Sequence, residues 1–245
     1  MENHNTFDIL FFIARPAAGK SEIIHYLKQT PLASRIERFH IGEFQVIDDF
    51  PMIWTWFEED DILSKMGYPR LHTDKEKYFI GDHLWNLLVR RICLEYNKKL
   101  HDNPKLHSTQ SIILEFSRGK EHGGYTKAFE HLSDEVVKRL AILYVNVPWE
   151  ESLRKNRSRY NPQRPDSILE HGLPDDKMFR LYRDCDWATI SAPDPEFVTV
   201  QGTNVPYAVF ENEDDVTTKA GEALGQRLES VLGHLWQLYH ASKRP

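Results

Sequence analysis

The chain is short of several things, and each shortage removes a class of answer. Only two of its 245 residues are cysteine, Cys93 and Cys185. They match neither a metal-knuckle nor a redox-pair spacing. Stability from a disulfide framework is therefore excluded, and the thiols predict a reduced, cytoplasmic setting. Long apolar runs are also missing: none approaches the roughly 20 residues of a membrane span. The opening MENHNTFD lacks the basic-then-apolar pattern of a secretion signal. Positive charge is in deficit, with 31 Lys and Arg against 37 Asp and Glu and a net charge of -6. Nucleic acid is thus not expected as a partner, because phosphate backbones demand a basic face. Internal repeats and low-complexity stretches are absent. The length suits one domain over 1–245 with helical additions, and is ample for a large core.

The most informative stretch that is present runs from Asp8 to Leu27. Ile9, Leu10, Phe11, Phe12 and Ile13 form a continuous apolar run, the mark of a strand buried on both faces of a parallel sheet. Ile23, Ile24 and Leu27 follow at helical spacing. Between them lies Ala14-Arg15-Pro16-Ala17-Ala18-Gly19-Lys20-Ser21. Small residues there let successive amides turn inward, and the helix dipole adds positive potential. This is most of a phosphate-binding P-loop. Residues Ala14 to Ser21 are predicted to wrap a nucleotide's phosphates, with Lys20 reaching the β- and γ-phosphates and the Ser21 hydroxyl holding Mg²⁺. The pattern departs at its start, where Ala14 replaces a glycine that permits unusual backbone angles.

Later strands end in chemistry. Phe44 to Ile47 reads as a second strand running into Asp48-Asp49-Phe50-Pro51. Ligands in open α/β sheets lie beyond the carboxyl ends of strands. Asp48 or Asp49 is therefore a candidate base for a hydroxyl or a candidate metal ligand holding Mg²⁺ through water, with a turn or helix cap as the alternative. Ser111 to Phe116 is a third strand, which places Glu115 to assist Mg²⁺ and Arg118 to pair with a phosphate or carboxylate. Leu140 to Val147 is a fourth. The helix after Pro148 carries Arg154, Arg157 and Arg159, with Arg164 beyond it. Arginines there suit a lid over about 150–186 that neutralises charge on a transferred group and excludes water. Arg154 and Arg157 are predicted to be catalytic and Arg159 nucleotide-binding.

The remaining segments frame that chemistry. Residues 53–66 read as a helix broken by Gly67-Tyr68-Pro69. Residues 74–100 read as one long helix with Ile80, Leu84, Leu87, Leu88, Arg91 and Leu94 on its packed face. Together they form a helical insert, about 51–104, suited to an acceptor. Trp54, Trp56, Phe57 and Tyr68 would stack on a ring or fill a core. Phe197 to Val200 is a short strand, and Pro206 suggests an edge for Val205 to Phe210. Asp214, Asp215 and Thr217 either approach a base or cap the last helix. That helix, 218–240, docks on the sheet by its Leu224, Leu228, Val231, Leu235 and Tyr239 stripe; a homodimer contact is the lesser reading. The predicted class is α/β: three layers, α/β/α, around a mostly parallel five-stranded sheet.

In layout this resembles the P-loop small-molecule kinases, the nucleoside and nucleotide kinases and their relatives. Asp48-Asp49-Phe50 is similar to the Asp-Asp-Phe or Asp-Ser-Phe after the second strand of uridine and nicotinamide riboside kinases. That resemblance implies Asp48 as base. Glu115, Ser117 and Arg118 resemble the Glu-Arg-Ser segment of deoxynucleoside kinases, in a different order. The implied activity is transfer of the γ-phosphate of ATP, with Mg²⁺, to a hydroxyl of a small metabolite such as a nucleoside. The alternatives are a nucleoside monophosphate kinase and a nucleotide-binding protein without transferase activity. The choice between ATP and GTP is open at this stage.

Overall fold

A computed structural model describes residues 5–159, 163 and 172–243. Its strands are β1 (Ile9–Ala14), β2 (Glu43–Asp48), β3 (Gln110–Phe116), β4 (Leu140–Asn146), β5 (Phe197–Val200) and β6 (Thr203–Glu211). The helices of the first half are α1 (Lys20–Gln29), α2 (Leu32–Phe39), α3 (Phe50–Lys65), α4 (His83–Asp102), α5 (Gly124–Phe129) and α6 (Asp134–Val137). Those of the second half are α7 (Trp149–Arg159), α8 (Asp175–Tyr182), α9 (Trp187–Ser191), α10 (Val216–Lys219) and α11 (Glu222–Ser242).

The strands make one sheet in the order β2-β3-β1-β4-β6-β5. Every pairing is parallel except the β5–β6 hairpin. Alternation along β1 explains the three layers, because successive side chains point to opposite faces. Ile9, Phe11 and Ile13 enter a core built with α4, α5, α6 and α9. Leu10, Phe12 and Ala14 enter a second core with α1, α2 and α11. All six β1 residues are buried, as expected of a central strand covered on both faces. The α11 stripe behaves as expected: Leu224, Leu228, Leu235 and Tyr239 are buried in that second core.

The sheet has six strands rather than five. The extra one is β5, which pairs antiparallel at the edge, so β6 is interior. Pro206 does not make β6 an edge. The β4–β6 register starts at Tyr207, one residue later, so that ladder never needs the amide proline lacks. The expected helix over 74–100 starts only at His83. Before it, Thr73 and Phe79 form an isolated antiparallel bridge. The buried carboxylate of Asp60 holds this loop, accepting from the amides of Leu71, His72 and Thr73 and from the Thr73 hydroxyl at 2.6 Å. The helix face is also rotated from expectation. Leu84 and Leu88 are buried as expected and Trp85, Val89, Ile92, Cys93 and Tyr96 join them, whereas Leu87 and Leu94, and Ile80 before the helix, are exposed. Gly221 interrupts the last helix and separates α10 from α11.

Candidate functional site

The carboxyl ends of β1, β2 and β3 come level at one cleft. Asp48 on β2 stands in register with Glu115 on β3. Ile13 on β1 stands beside Phe116. Over these ends lies a cavity of about 1100 Å³, floored by the loop after β1 and walled by α1, α7 and the ends of β2 and β3.

The loop from Ala14 to Ser21 owes its shape to two residues with positive φ, Ala17 at 57° and Gly19 at 110°. Ala14 is not among them. It closes β1 in register with Val145, and its carbonyl accepts from the Tyr125 hydroxyl at 2.9 Å. The missing first glycine is thus accommodated by ordinary strand geometry. Gly19 is different, because a Cβ there would lie 2.6 Å from Thr217 Oγ1 and 2.7 Å from Asn212 Nδ2. Asn212 donates to the Ala18 carbonyl at 2.8 Å, and Ser152 donates to the Pro16 carbonyl at 2.7 Å. Side chains from beyond β6 and from α7 therefore pin the loop. Arg15 turns outward from the cavity. Its guanidinium donates to the carbonyls of Val147 and Arg183, both at 3.3 Å, and ties the loop to the far ends of β4 and α8.

Lys20 is buried. It donates to Ser117 Oγ at 2.8 Å and lies 3.7 Å from a Glu115 oxygen. Asp48 accepts from the Phe50 amide at 3.1 Å. Burial, reinforced by Glu115 and Asp49, pushes the Asp48 carboxyl up to about 8, against the Phe50 amide and Lys20. Burial likewise raises Glu115, with Lys20 opposing, and raises Asp49, with Arg118 opposing. Asp49 and Arg118 form an ion pair at 2.7 Å, each nearly fully buried. Arg118 is further fixed by the carbonyls of Ser117 and Trp85 and lies over the rings of Phe116 and Trp85.

Of the described lid arginines, only Arg159 lines the cavity, where it donates to Glu22 at 3.0 Å beside Ser21. Arg154 and Arg157 do not line it. Arg154 pairs with Glu151 and Asp215, Arg157 pairs with Asp175, and both are more than half exposed. The reason is helical phase: the α7 residues aimed inward are Ser152, Lys155 and Asn156. Arg164, with most of the stretch between Arg159 and Gly172, lies outside the described residues. Thr217 and Thr218 line the cavity near the loop. Ser117, Asn212 and Ser152 were not expected as loop partners. No local pattern marks them, since the Asn212 bond spans 194 positions.

The oxygen donors Ser21, Asp48, Asp49 and Glu115 are the kind a hard cation takes. Among the described residues no three His, Cys, Asp or Glu side chains are grouped to hold a metal unaided. Mg²⁺ is one such cation, keeping waters and binding through one or two carboxylates plus substrate phosphates. The acids' raised proton affinity also fits, because a cation would relieve the same crowding of negative charge.

No protein-family model matches the chain, and no curated protein matches it in sequence. Solved structures with a similar arrangement include an unliganded sugar kinase from Janibacter sp. HTCC2649 and a shikimate kinase from Acinetobacter baumannii in complex with shikimate. The first is 14% identical, with a TM-score of 0.39, over 93% of this chain and 95% of that one. The second is 14% identical, with a TM-score of 0.40, over 98% and 97%. Likeness at this level carries no conclusion about activity, and the three-layer fold rests on the strand order itself.

Proposed function

We propose that the protein is an ATP- and Mg²⁺-dependent phosphotransferase acting on a hydroxyl of a small molecule. The observation that carries the reading is the convergence of Lys20, Asp48 and Glu115 on one cleft above the Ala14–Ser21 loop. The loop amides and Lys20 hold the donor's phosphates, and Lys20 would exchange its bond to Ser117 for a phosphate oxygen. Ser21 with Asp49 or Glu115 would hold Mg²⁺, which supplies charge neutralisation at the phosphates. Once a bound cation relieves the crowding of acids and leaves Asp48 ionised, it accepts the acceptor's hydroxyl proton as the hydroxyl oxygen bonds to the γ-phosphorus and the bond to the β-phosphate oxygen breaks, leaving ADP. Arg118 holds Asp49 and the β3 end in place. Arg159 is a further cation lining the cavity, beside the start of α1.

A phosphate acceptor, as in a nucleoside monophosphate kinase, needs free arginines more than a base. Among the described residues that line the cavity or support it, Arg118 is paired with Asp49 and Arg159 with Glu22, which favours the hydroxyl acceptor. The test is ATP consumption against alcohols, nucleosides and nucleotides, with Lys20→Ala as the blank. Turnover that survives Lys20→Ala, or absence of ATP and GTP binding by calorimetry, overturns the reading.

A further inference from the structure

A second cavity, of about 470 Å³, opens beside the first and shares Phe50, Ile53, Leu173 and Tyr182 with it. Most of its wall is apolar. Ile53, Trp54, Phe57, Phe79 and Leu181 line it, and Phe79 meets Trp85 edge-to-face at 4.7 Å. The charges on its lining oppose one another, Glu58 and Asp61 against Lys77 and Lys177. Asp61 and Lys77 pair at 2.9 Å. Lys177 donates to the Glu76 carbonyl and lies over the Tyr78 ring, 4.7 Å from its centre. Glu58 is exposed to water. His122 bonds Asp82 at 2.8 Å and stacks on Trp85. At the partition between the two cavities stands Tyr182, the last residue of α8. Its hydroxyl lies deep: burial pushes it well above the usual phenol range, with Arg118 opposing and Asp49 reinforcing. Yet it makes no hydrogen bond among the described residues, and its oxygen is not one of their sealed-off polar atoms. The open surface left to so deep an oxygen is the cavity wall.

We infer that this second cavity seats the body of the phosphoryl acceptor, that the acceptor is an uncharged alcohol with an apolar body, and that Tyr182 selects it by hydrogen-bonding its hydroxyl. The hydroxyl's fate rests on the phosphotransferase reading; the body's seat does not. An apolar body gains free energy by leaving water for these walls. A body of either charge would give up its water for a lining whose charges cancel. A polyol would press unpaired hydroxyls against ring faces and aliphatic carbons. Tyr182 also borders the cavity that Asp48 lines, so a hydroxyl held at the partition is turned towards that acid.

The test is a ligand-observed NMR titration of the full chain, without ATP, against 2-phenylethanol, ethylbenzene, 2-phenylethylamine, phenylacetate, glycerol and D-ribose. 2-Phenylethanol should bind about tenfold or more tightly than glycerol or D-ribose. It should bind about fivefold more tightly than ethylbenzene, which lacks only the hydroxyl. Tyr182→Phe should erase that margin of about fivefold by weakening 2-phenylethanol alone, with the melting temperature nearly unchanged. Trp54→Ala should weaken both compounds about fivefold. Tightest binding by 2-phenylethylamine would make Glu58 the anchor and overturn the inference, as would tightest binding by phenylacetate or a polyol, or no binding of 2-phenylethanol. An undiminished margin over ethylbenzene in Tyr182→Phe overturns the role of its hydroxyl. Binding with the expected margins but no phosphate transferred from ATP to any of these alcohols supports the seat and counts against the phosphotransferase reading. Phosphorylation of glycerol or D-ribose with no binding of 2-phenylethanol does the reverse.

Discussion

Replacing Asp48 by asparagine should make the protein more stable and nearly inactive. The carboxyl is buried beside Glu115 and Asp49 and is raised from the ordinary 3.8 to about 8. The folded state therefore keeps a proton that the unfolded chain releases. Stability falls as pH climbs from about 4 towards 8, then levels off once both states are ionised. At about 1.4 kcal/mol per unit, the full cost approaches about 6 kcal/mol. Glu115 and Asp49 share the strain, so relief at one site is about 2–4 kcal/mol. Asparagine carries no charge and still offers an oxygen to the Phe50 amide. In nucleotide-free and metal-free protein, Asp48→Asn should melt on the order of 10 °C higher than wild type at pH 8, with the gap closing towards pH 4. Loss of the base should lower kcat by about 10²–10⁴. The assay is differential scanning calorimetry from pH 4 to 9 alongside ATP turnover. Melting curves that coincide across that range would refute the burial argument, and kcat within threefold of wild type would refute the role as base.

Other substitutions probe the supports of the site. Gly19→Ala sets a side chain at a φ of 110° against Thr217 and Asn212. It should cost about 2–4 kcal/mol by urea titration, with the Asn212→Ala background recovering only the share of the clash that Asn212 makes, because Thr217 remains in the way. Arg118→Ala leaves Asp49 buried without its cation. A loss of about 3–5 kcal/mol is expected, while a double variant with Asp49→Asn should regain much of it. Asp186→Ala strips the carboxylate that caps the Tyr125 and Thr126 amides at 2.8 and 2.9 Å, which should lower stability by about 1–2 kcal/mol. Arg154→Ala and Arg157→Ala remove exposed ion pairs. Each should change stability by under about 1 kcal/mol and turnover by less than twofold, whereas a tenfold loss of kcat would restore them as lid groups.

Much of this was legible locally. The apolar run Ile9–Ile13, the small-residue loop and Lys20-Ser21 specify strand, turn and helix from neighbouring residues alone, as backbone propensity and periodicity are short-range effects. The acids at Asp48, Asp49 and Glu115 were readable because parallel strands bring their carboxyl ends to one edge. Other features depended on distant partners. The phase of α4 was set by which face met the sheet, so Leu87 and Leu94 stayed outside although their spacing suited a core. The start of α4 moved to His83 because Asp60, on α3, captured the amides of 71–73. The arginines of α7 looked alike in sequence, and only the packing of Ser152 and Asn156 inward sent Arg154 and Arg157 outward while Arg159 reached Glu22. The sequence by itself determined the layered α/β class and the strand, loop and helix that floor the cavity. Tertiary structure alone decided which polar groups face the cavity, which are spent on one another, and that a ring-lined chamber opens beside it. Those outcomes turn on contacts between residues far apart in the chain, and no local pattern encodes them.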